Sequence, residues 1–354
     1  MTRTYRYRWL TIAASLAFGS GHHAGCSDPE GEEYYPPCLE GSCAPGDYCD
    51  PRIGCIPYDS DLDVDTDTDT GTDTLTGCEH DTDPDTGTDD SVSCIENSQG
   101  YQECERLDGR GGPFIVIPAA TFWMGCRDEL NGSSYSCLFE TPQHEVQLST
   151  YAIDKYEITQ SQYKAFADST GACYPVVCDS GNAGWHPDAR PDHPAVCLGW
   201  KDTRAYCKWL GGDLLTEAQW EYAARGPMSG PDDYTIFPWG TNYIDCRRAN
   251  YGDCSGQNDQ VGSHPSGASP FGVMDMAGNV WEPCLDWYSD DYYQRFESSA
   301  AVDPQGPESG TGHVKRSGSW SPYAAHTMRS ASRSTCHSGR TDHFGGRCAR
   351  PIPR

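Results

Sequence analysis

The chain has 354 residues, with 25 Lys and Arg against 52 Asp and Glu, a formal net charge of −27. That balance argues against a nucleic-acid binder, which needs a basic face for phosphates, and against a polybasic membrane-surface segment. No apolar run reaches the ~18–20 residues of a transmembrane helix, and 38 Gly, 25 Pro, 10 Trp and 21 Tyr describe a loop-rich globular chain, not a helical bundle.

The first elements concern export. Arg3, Arg6 and Arg8 form a basic region ahead of an apolar stretch over residues 9–18, too short to span a membrane and suited to a signal peptide. Ala24 and Gly25 then lead into Cys26. Small residues before a cysteine resemble a bacterial lipoprotein cleavage site, at which the cysteine becomes N-terminal and carries lipid. His23 departs from that pattern, where an aliphatic residue is usual. The alternative is ordinary cleavage near Ala24, with Cys26 free or bridged. Nineteen cysteines imply an oxidising compartment and disulfides. Without Cys26 an even number remains, and no more than two thiols are expected. The predicted location is therefore extracytoplasmic, the periplasm or outer surface of a bacterial cell, with the membrane reached only through the lipid.

Composition divides the rest into three. Residues 27–58 hold Cys38, Cys43, Cys49 and Cys55, a segment too small for a core and needing bridges as staples. Residues 59–112 form an acidic, Asp/Thr-rich spacer. Its repeats at 59–90 hold twelve Asp and one Glu with no Lys or Arg, so self-repulsion and the lack of apolar residues keep it extended. Alternating Asp also resembles part of a calcium loop, but the loop's Gly and Glu are missing. Residues 113–354 form the functional domain.

Within that domain, residues 114–118 (ended by Pro118), 121–125 and 144–148 read as short strands, the last half-buried by its alternation. Thr159 with Gln162 predicts a capped helix ending near Gly171. Residues 200–210 form a second helix closed by Gly211, and Thr216 with Gln219 opens a third that ends at Gly226. On this third helix Trp220 and Ala224 share one face and Glu217 and Glu221 another. Beyond Gly226 few regular elements are expected, so the fold class is α+β with high loop content. Spacing permits local disulfides joining Cys126 to Cys137, Cys173 to Cys178 and Cys246 to Cys254, and a C-terminal bridge between Cys336 and Cys348.

Asp275, Gly278, Val280 and Glu282 place two carboxylates and two loop carbonyls within eight residues, a hard oxygen set suited to Ca²⁺. The alternative is that Asp275 and Glu282 cap turns. Scattered histidines such as His186, His193 and His264 are more simply satisfied in loops than catalytic.

Several blocks in fixed order resemble the formylglycine-generating enzyme, or sulfatase-modifying-factor, domain across residues 113–354. They are 118–125 (PAATFWMG), 154–160 (DKYEITQ), 193–196 (HPAV), 216–226, 238–240 (PWG), 271–282 (FGVMDMAGNVWE), 316–320 (RSGSW), 329–333 (RSASR) and 346–348 (GRC). The resemblance implies the family's variant of the C-type-lectin-like fold. It implies calcium at Asp275, Gly278, Val280 and Glu282, and a second calcium site at Asn250 and Tyr251, with Asp259 a candidate for its remaining ligand. It also implies oxidation of a substrate cysteine at copper(I) held by two thiolates, soft ligands for a soft ion. Those cysteines belong just after Ser319, which matches an active-site serine of the family, but residues 319–333 contain none. Pro322 stands at the first expected place and the second falls at Tyr323 to Ala325. His326 and Met328 are too few soft ligands to replace two thiolates, so copper is not expected. No His-x-x-x-His-x-Glu iron motif of the family's sulfoxide synthases occurs.

Three functions remain. The first is a non-oxidase domain binding an unidentified peptide, protein or glycan in the family's groove, with Ser319 a groove residue. The others are a formylglycine-generating oxidase and a disulfide-rich structural surface protein.

Overall fold

The computed structural model describes residues 48–50, 54–56, 92–127, 137, 139–175, 184–240, 243–252, 254–321, 327–336 and 340–353. The export signal, Cys26, the acidic repeats and Cys178 lie outside the described residues. In the Cys-rich segment β1 (Tyr48–Asp50) and β2 (Gly54–Ile56) pair antiparallel.

The domain begins earlier than composition suggests. Strands β3 (Val92–Glu96) and β4 (Gln102–Arg106) form a hairpin, bridged by Cys94 and Cys104, and β4 pairs with β5 (Phe114–Ile117). The spacer boundary at residue 112 is therefore corrected, since residues 92–106 belong to the sheet. Most of β3 is exposed, so its composition resembles that of a solvated linker. Strands β6 (Ala120–Met124) and β7 (His144–Leu148) pair antiparallel, and β7 buries His144, Val146 and Leu148 while Gln147 faces solvent, the expected alternation. Strand β8 (Tyr151–Asp154) returns to β5.

Helix α1 (Gln160–Thr170) starts at the expected capping box and stops at Gly171 in the left-handed conformation. It buries Tyr163, Phe166 and Ala167, the first two in a cluster with Tyr206 of α2 (Trp200–Trp209). A two-residue strand β9 (Asp213–Leu214) leads into α3 (Glu217–Arg225), again opened by a capping box, Thr216 with Gln219. Five short strands follow: β10 (Glu282–Trp287), β11 (Ala301–Val302), β12 (His313–Arg316), β13 (Ser334–Cys336) and β14 (Cys348–Arg350). The sheets run β3-β4-β5-β8-β14-β9, β11-β7-β6 and β10-β12-β13. Short strands, three helices and long irregular connections make the loop-rich α+β fold expected.

Disulfide pairing is partly as spacing suggests. Cys126 bonds Cys137 and Cys246 bonds Cys254. The proposed Cys336–Cys348 bridge is wrong: Cys348 bonds Cys207, 141 residues earlier, and ties β14 to α2. Cys336 and Cys348 are twelve apart in sequence but sit on different sheets, Cys336 opposite His313 and Cys348 opposite Leu214. Cys173 is not disulfide-bonded, so its pairing with Cys178 is corrected as well. With Cys284 and Cys336 it makes three described cysteines outside disulfides, one more than the limit expected.

Candidate functional site

The loop from Asp275 to Glu282 is the point where distant parts of the chain meet. It has no ladder of its own and is held by side chains. Gly278 has φ +91°, and a Cβ there would sit 2.3 Å from the Asn250 carbonyl oxygen, so only glycine fits. Asp275 and Asn279 also have positive φ, conformations that Asp and Asn tolerate best among non-glycine residues.

Asn279 is the hub. Its backbone N–H donates to Asn250 O at 2.8 Å. Its Oδ1 accepts from Asn250 Nδ2 at 3.3 Å and from the Asp259 N–H at 2.9 Å. Its Nδ2 donates to Glu157 Oε2 at 2.6 Å, and its carbonyl accepts from Trp320 N at 2.9 Å. Glu157, just ahead of α1, also accepts from Val280 N at 3.2 Å. Ser317, at the end of β12, donates its hydroxyl to Asp275 O at 3.2 Å and Gly278 O at 2.9 Å. Its carbonyl accepts from Gly278 N at 2.7 Å.

The predicted residues therefore converge in part. Asp275 Oδ2 accepts from Gly262 N at 2.6 Å. Glu282 is held by a salt bridge to Arg347 at 2.8 Å and by Trp220 Nε1 at 2.7 Å. The Asn250 amide is satisfied by Gln257, Ser255 and Asn279. The Tyr251 hydroxyl donates instead to Ile244 O at 3.4 Å. Asp259 pairs with His264 at 3.0 Å. Sequence reasoning did not assign a site role to Glu157, Asn279, Ser317 or Arg347, although all four stand in the family blocks quoted above.

The electrostatics are uneven. Glu157, Asp275 and Glu282 are all buried; Arg347 is bonded to Glu282 and feels the charges of the other two through space. Burial pushes Glu157 well above the usual carboxylate range, and the charges of Asp275 and Glu282 push the same way. Burial also raises Asp275. The Asp259 contact raises His264.

The segment after β12 places the remaining candidates. Ser319 is fully buried and its Oγ accepts from Ser321 N at 3.4 Å. Pro322 to His326 lie outside the described residues. Met328 packs with Phe237, Ala249 and Ala277 and is core.

A second buried polar cluster surrounds α3, where all but one of the nine residues are buried, Glu217 and Glu221 included. Glu217 binds Arg333 at 2.7 Å and Arg316 at 2.9 Å. Glu221 binds Arg316 at 2.9 Å and Arg225 at 2.8 Å. Two faces by periodicity become one buried helix because Arg316 and Arg333 arrive from far along the chain.

A family model described as the sulfatase-modifying factor enzyme 1-like domain matches residues 102–352. A formylglycine-generating enzyme of Thermomonospora curvata is 30% identical over 290 residues, covering 66% of this chain and 92% of that protein. A hercynine oxygenase of Mycolicibacterium thermoresistibile is 29% identical over 268 residues, covering 67% of this chain and 58% of that protein. Among solved structures, PvdO from Pseudomonas aeruginosa matches with a TM-score of 0.55 at 27% identity, covering 73% of this chain and 98% of that one.

Proposed function

Because the chain belongs to the sulfatase-modifying factor enzyme 1-like domain family, we propose that it is an exported, lipid-anchored member that binds a peptide, protein or glycan and does not oxidise cysteine. One observation carries the reading: residues 319–333, where the family's reaction needs two thiolates, contain no cysteine. Oxygen activation at copper(I) depends on soft ligands. Met328, buried among Phe237, Ala249 and Ala277, is committed to packing. The basic and apolar N-terminus ending at Cys26 supports export and anchoring. Copper loading after mild reduction, followed by incubation with a cysteine peptide, tests the reading. No aldehyde product is expected. Aldehyde formation overturns it in favour of the oxidase, and loss of that aldehyde in Cys336→Ser would place the reaction at Cys336.

Calcium belongs to the same proposal. Three buried carboxylates, Glu157, Asp275 and Glu282, around one guanidinium support a resident cation. Asp275 and the carbonyls of Gly278 and Val280 would hold it. Glu282, already engaged by Arg347 and Trp220, is the ligand that must share its oxygens. The second family position, Asn250 and Tyr251, is supported less, since the Asn250 amide and the Tyr251 hydroxyl bond within their own loops. A ligand that binds only the folded state raises stability by mass action. Chelation should lower the melting temperature, and Asp275→Ala should lower it without chelator. Unchanged melting in both removes calcium from this loop.

A further inference from the structure

A cluster remote in sequence from the 275–282 loop carries a separate chemistry. Cys126 follows β6, and its disulfide partner Cys137 precedes Glu140. All three residues are buried, the cysteines at 1% and 2% exposure. Both sulfurs and a Glu140 carboxylate oxygen lie within 4.8 Å of one another, and no other such trio of His, Cys, Asp or Glu ligands occurs among the described residues. The surroundings are polar. The Tyr234 hydroxyl donates to Cys126 Sγ at 3.3 Å. Arg329 Nη1 donates to the same sulfur at 3.8 Å and grips both Glu140 oxygens at 2.6 Å. A disulfide needs none of these donors. A thiolate at Cys126 would use both.

We propose that Cys126, Cys137 and Glu140 form a redox-gated site for a divalent cation of zinc's class, closed as the disulfide and opened by reduction. The reductant is a dithiol. One of its thiolates attacks a bridge sulfur and forms a mixed disulfide. Its second thiolate then displaces the protein sulfur, so two electrons pass to the cysteines and the dithiol leaves as a disulfide. The two protein thiols lose their protons as metal–sulfur bonds form. Charge selects the cation. Two thiolates and Glu140 carry three negative charges and Arg329 one positive, so a divalent ion brings the buried group to neutrality. Donor type selects it further. Two thiolates and one carboxylate suit Zn²⁺, which takes S and O ligands in four-coordinate sites and leaves a fourth position to water. The proposal is independent of calcium, which takes oxygen ligands alone.

The test uses the full-length chain. Oxidised and anaerobically reduced protein are titrated with Zn²⁺ against a chromogenic chelator. Reduction also opens Cys94–Cys104, Cys207–Cys348 and Cys246–Cys254, so the gain in bound zinc should be one equivalent larger in wild type than in the Cys126→Ser/Cys137→Ser double variant. Glu140→Gln should weaken the added site by about tenfold or more. Stoichiometry that reduction leaves unchanged, or the same gain in the double variant, overturns the proposal. Should the double variant fail to fold, zinc-edge X-ray absorption on reduced wild type decides. A shell of two sulfurs with oxygen or nitrogen supports the site, and a shell without sulfur, or with four, rejects it.

Discussion

The buried polar clusters around α3 and around the 275–282 loop both pair carboxylates with guanidiniums and differ in their charge count. Around α3, Glu217 and Glu221 meet Arg225, Arg316 and Arg333 in close pairs. Asp286 joins them as a third carboxylate, accepting the Glu217 N–H at 2.7 Å. Three acids, one of them Asp286 pushed up to about 7, face three guanidiniums, so the charges cancel to within one. Around the 275–282 loop, Glu157, Asp275 and Glu282 face Arg347. The first cluster explains itself: burying matched, hydrogen-bonded charge is tolerable, and the ties join α3 to segments about a hundred residues away. The second does not close without either a proton or a cation. Whether the buried charges cancel thus separates a cluster that needs nothing further from one that takes up a proton or a cation.

The sharpest way to break this comparison is to unbalance the matched cluster. Arg316→Ala would leave Glu217 and Glu221 sharing two guanidiniums in an interior that excludes water. Breaking a buried pair by removing one partner costs about 3–5 kcal/mol. Denaturant unfolding should show a loss of that order, the largest of any substitution discussed. A loss under about 1 kcal/mol would mean that the cluster is wetter than its burial implies.

Next in size is a pH effect inside the matched cluster. Burial and the neighbouring Glu217 push Asp286 up to about 7. A carboxyl group raised in the folded state adds stability below its unfolded value, and that stability is lost as pH rises through the folded value. Wild type should therefore melt lower at pH 8 than at pH 5. In Asp286→Asn, which keeps an acceptor for the Glu217 N–H but cannot ionise, that part of the fall should vanish. Melting curves of both proteins at the two pH values decide the matter, and an equal fall in the variant would clear Asp286 of the effect.

How much of this could be read from sequence follows from range. The helix starts at Thr159 and Thr216 were legible because a capping box is complete within four residues. The bridges of Cys126 with Cys137 and of Cys246 with Cys254 were legible because each closes a short loop. Cys207 with Cys348 was not, since nothing local distinguishes Cys348 from Cys336. The burial of Glu217 and Glu221 was not legible either, because Arg316 ends β12 and Arg333 stands just before β13, both about a hundred residues away. The hairpin at residues 92–106 was hidden because an exposed edge strand is polar for the same reason a linker is. At the candidate site, Asp275 and Glu282 stood out by type and spacing. Glu157 lies about 120 residues earlier and joins them only through Asn279 and Val280.

Glu157 is also the place for the smallest and most discriminating change. Its carboxylate accepts from Asn279 Nδ2 and from Val280 N. Glu157→Gln keeps one acceptor oxygen and turns the other into a donor, so one hydrogen bond is lost at a cost of about 1 kcal/mol. Against that, one of three crowded negative charges disappears. Burial holds Glu157 well above the usual carboxylate range, with Asp275 and Glu282 adding to it, so its ionisation weakens the cation-free protein as pH rises. The two effects oppose each other, and without calcium the variant at neutral pH should match wild type to within about 1 kcal/mol. With calcium the balance changes, because the charge that repels its neighbours in the empty loop attracts the ion in the filled one. Chelation should therefore lower the melting temperature of wild type more than that of the variant. An equal response in both would mean that Glu157 is protonated in the native protein, and the excess charge of this cluster would then be answered by a proton and not by calcium.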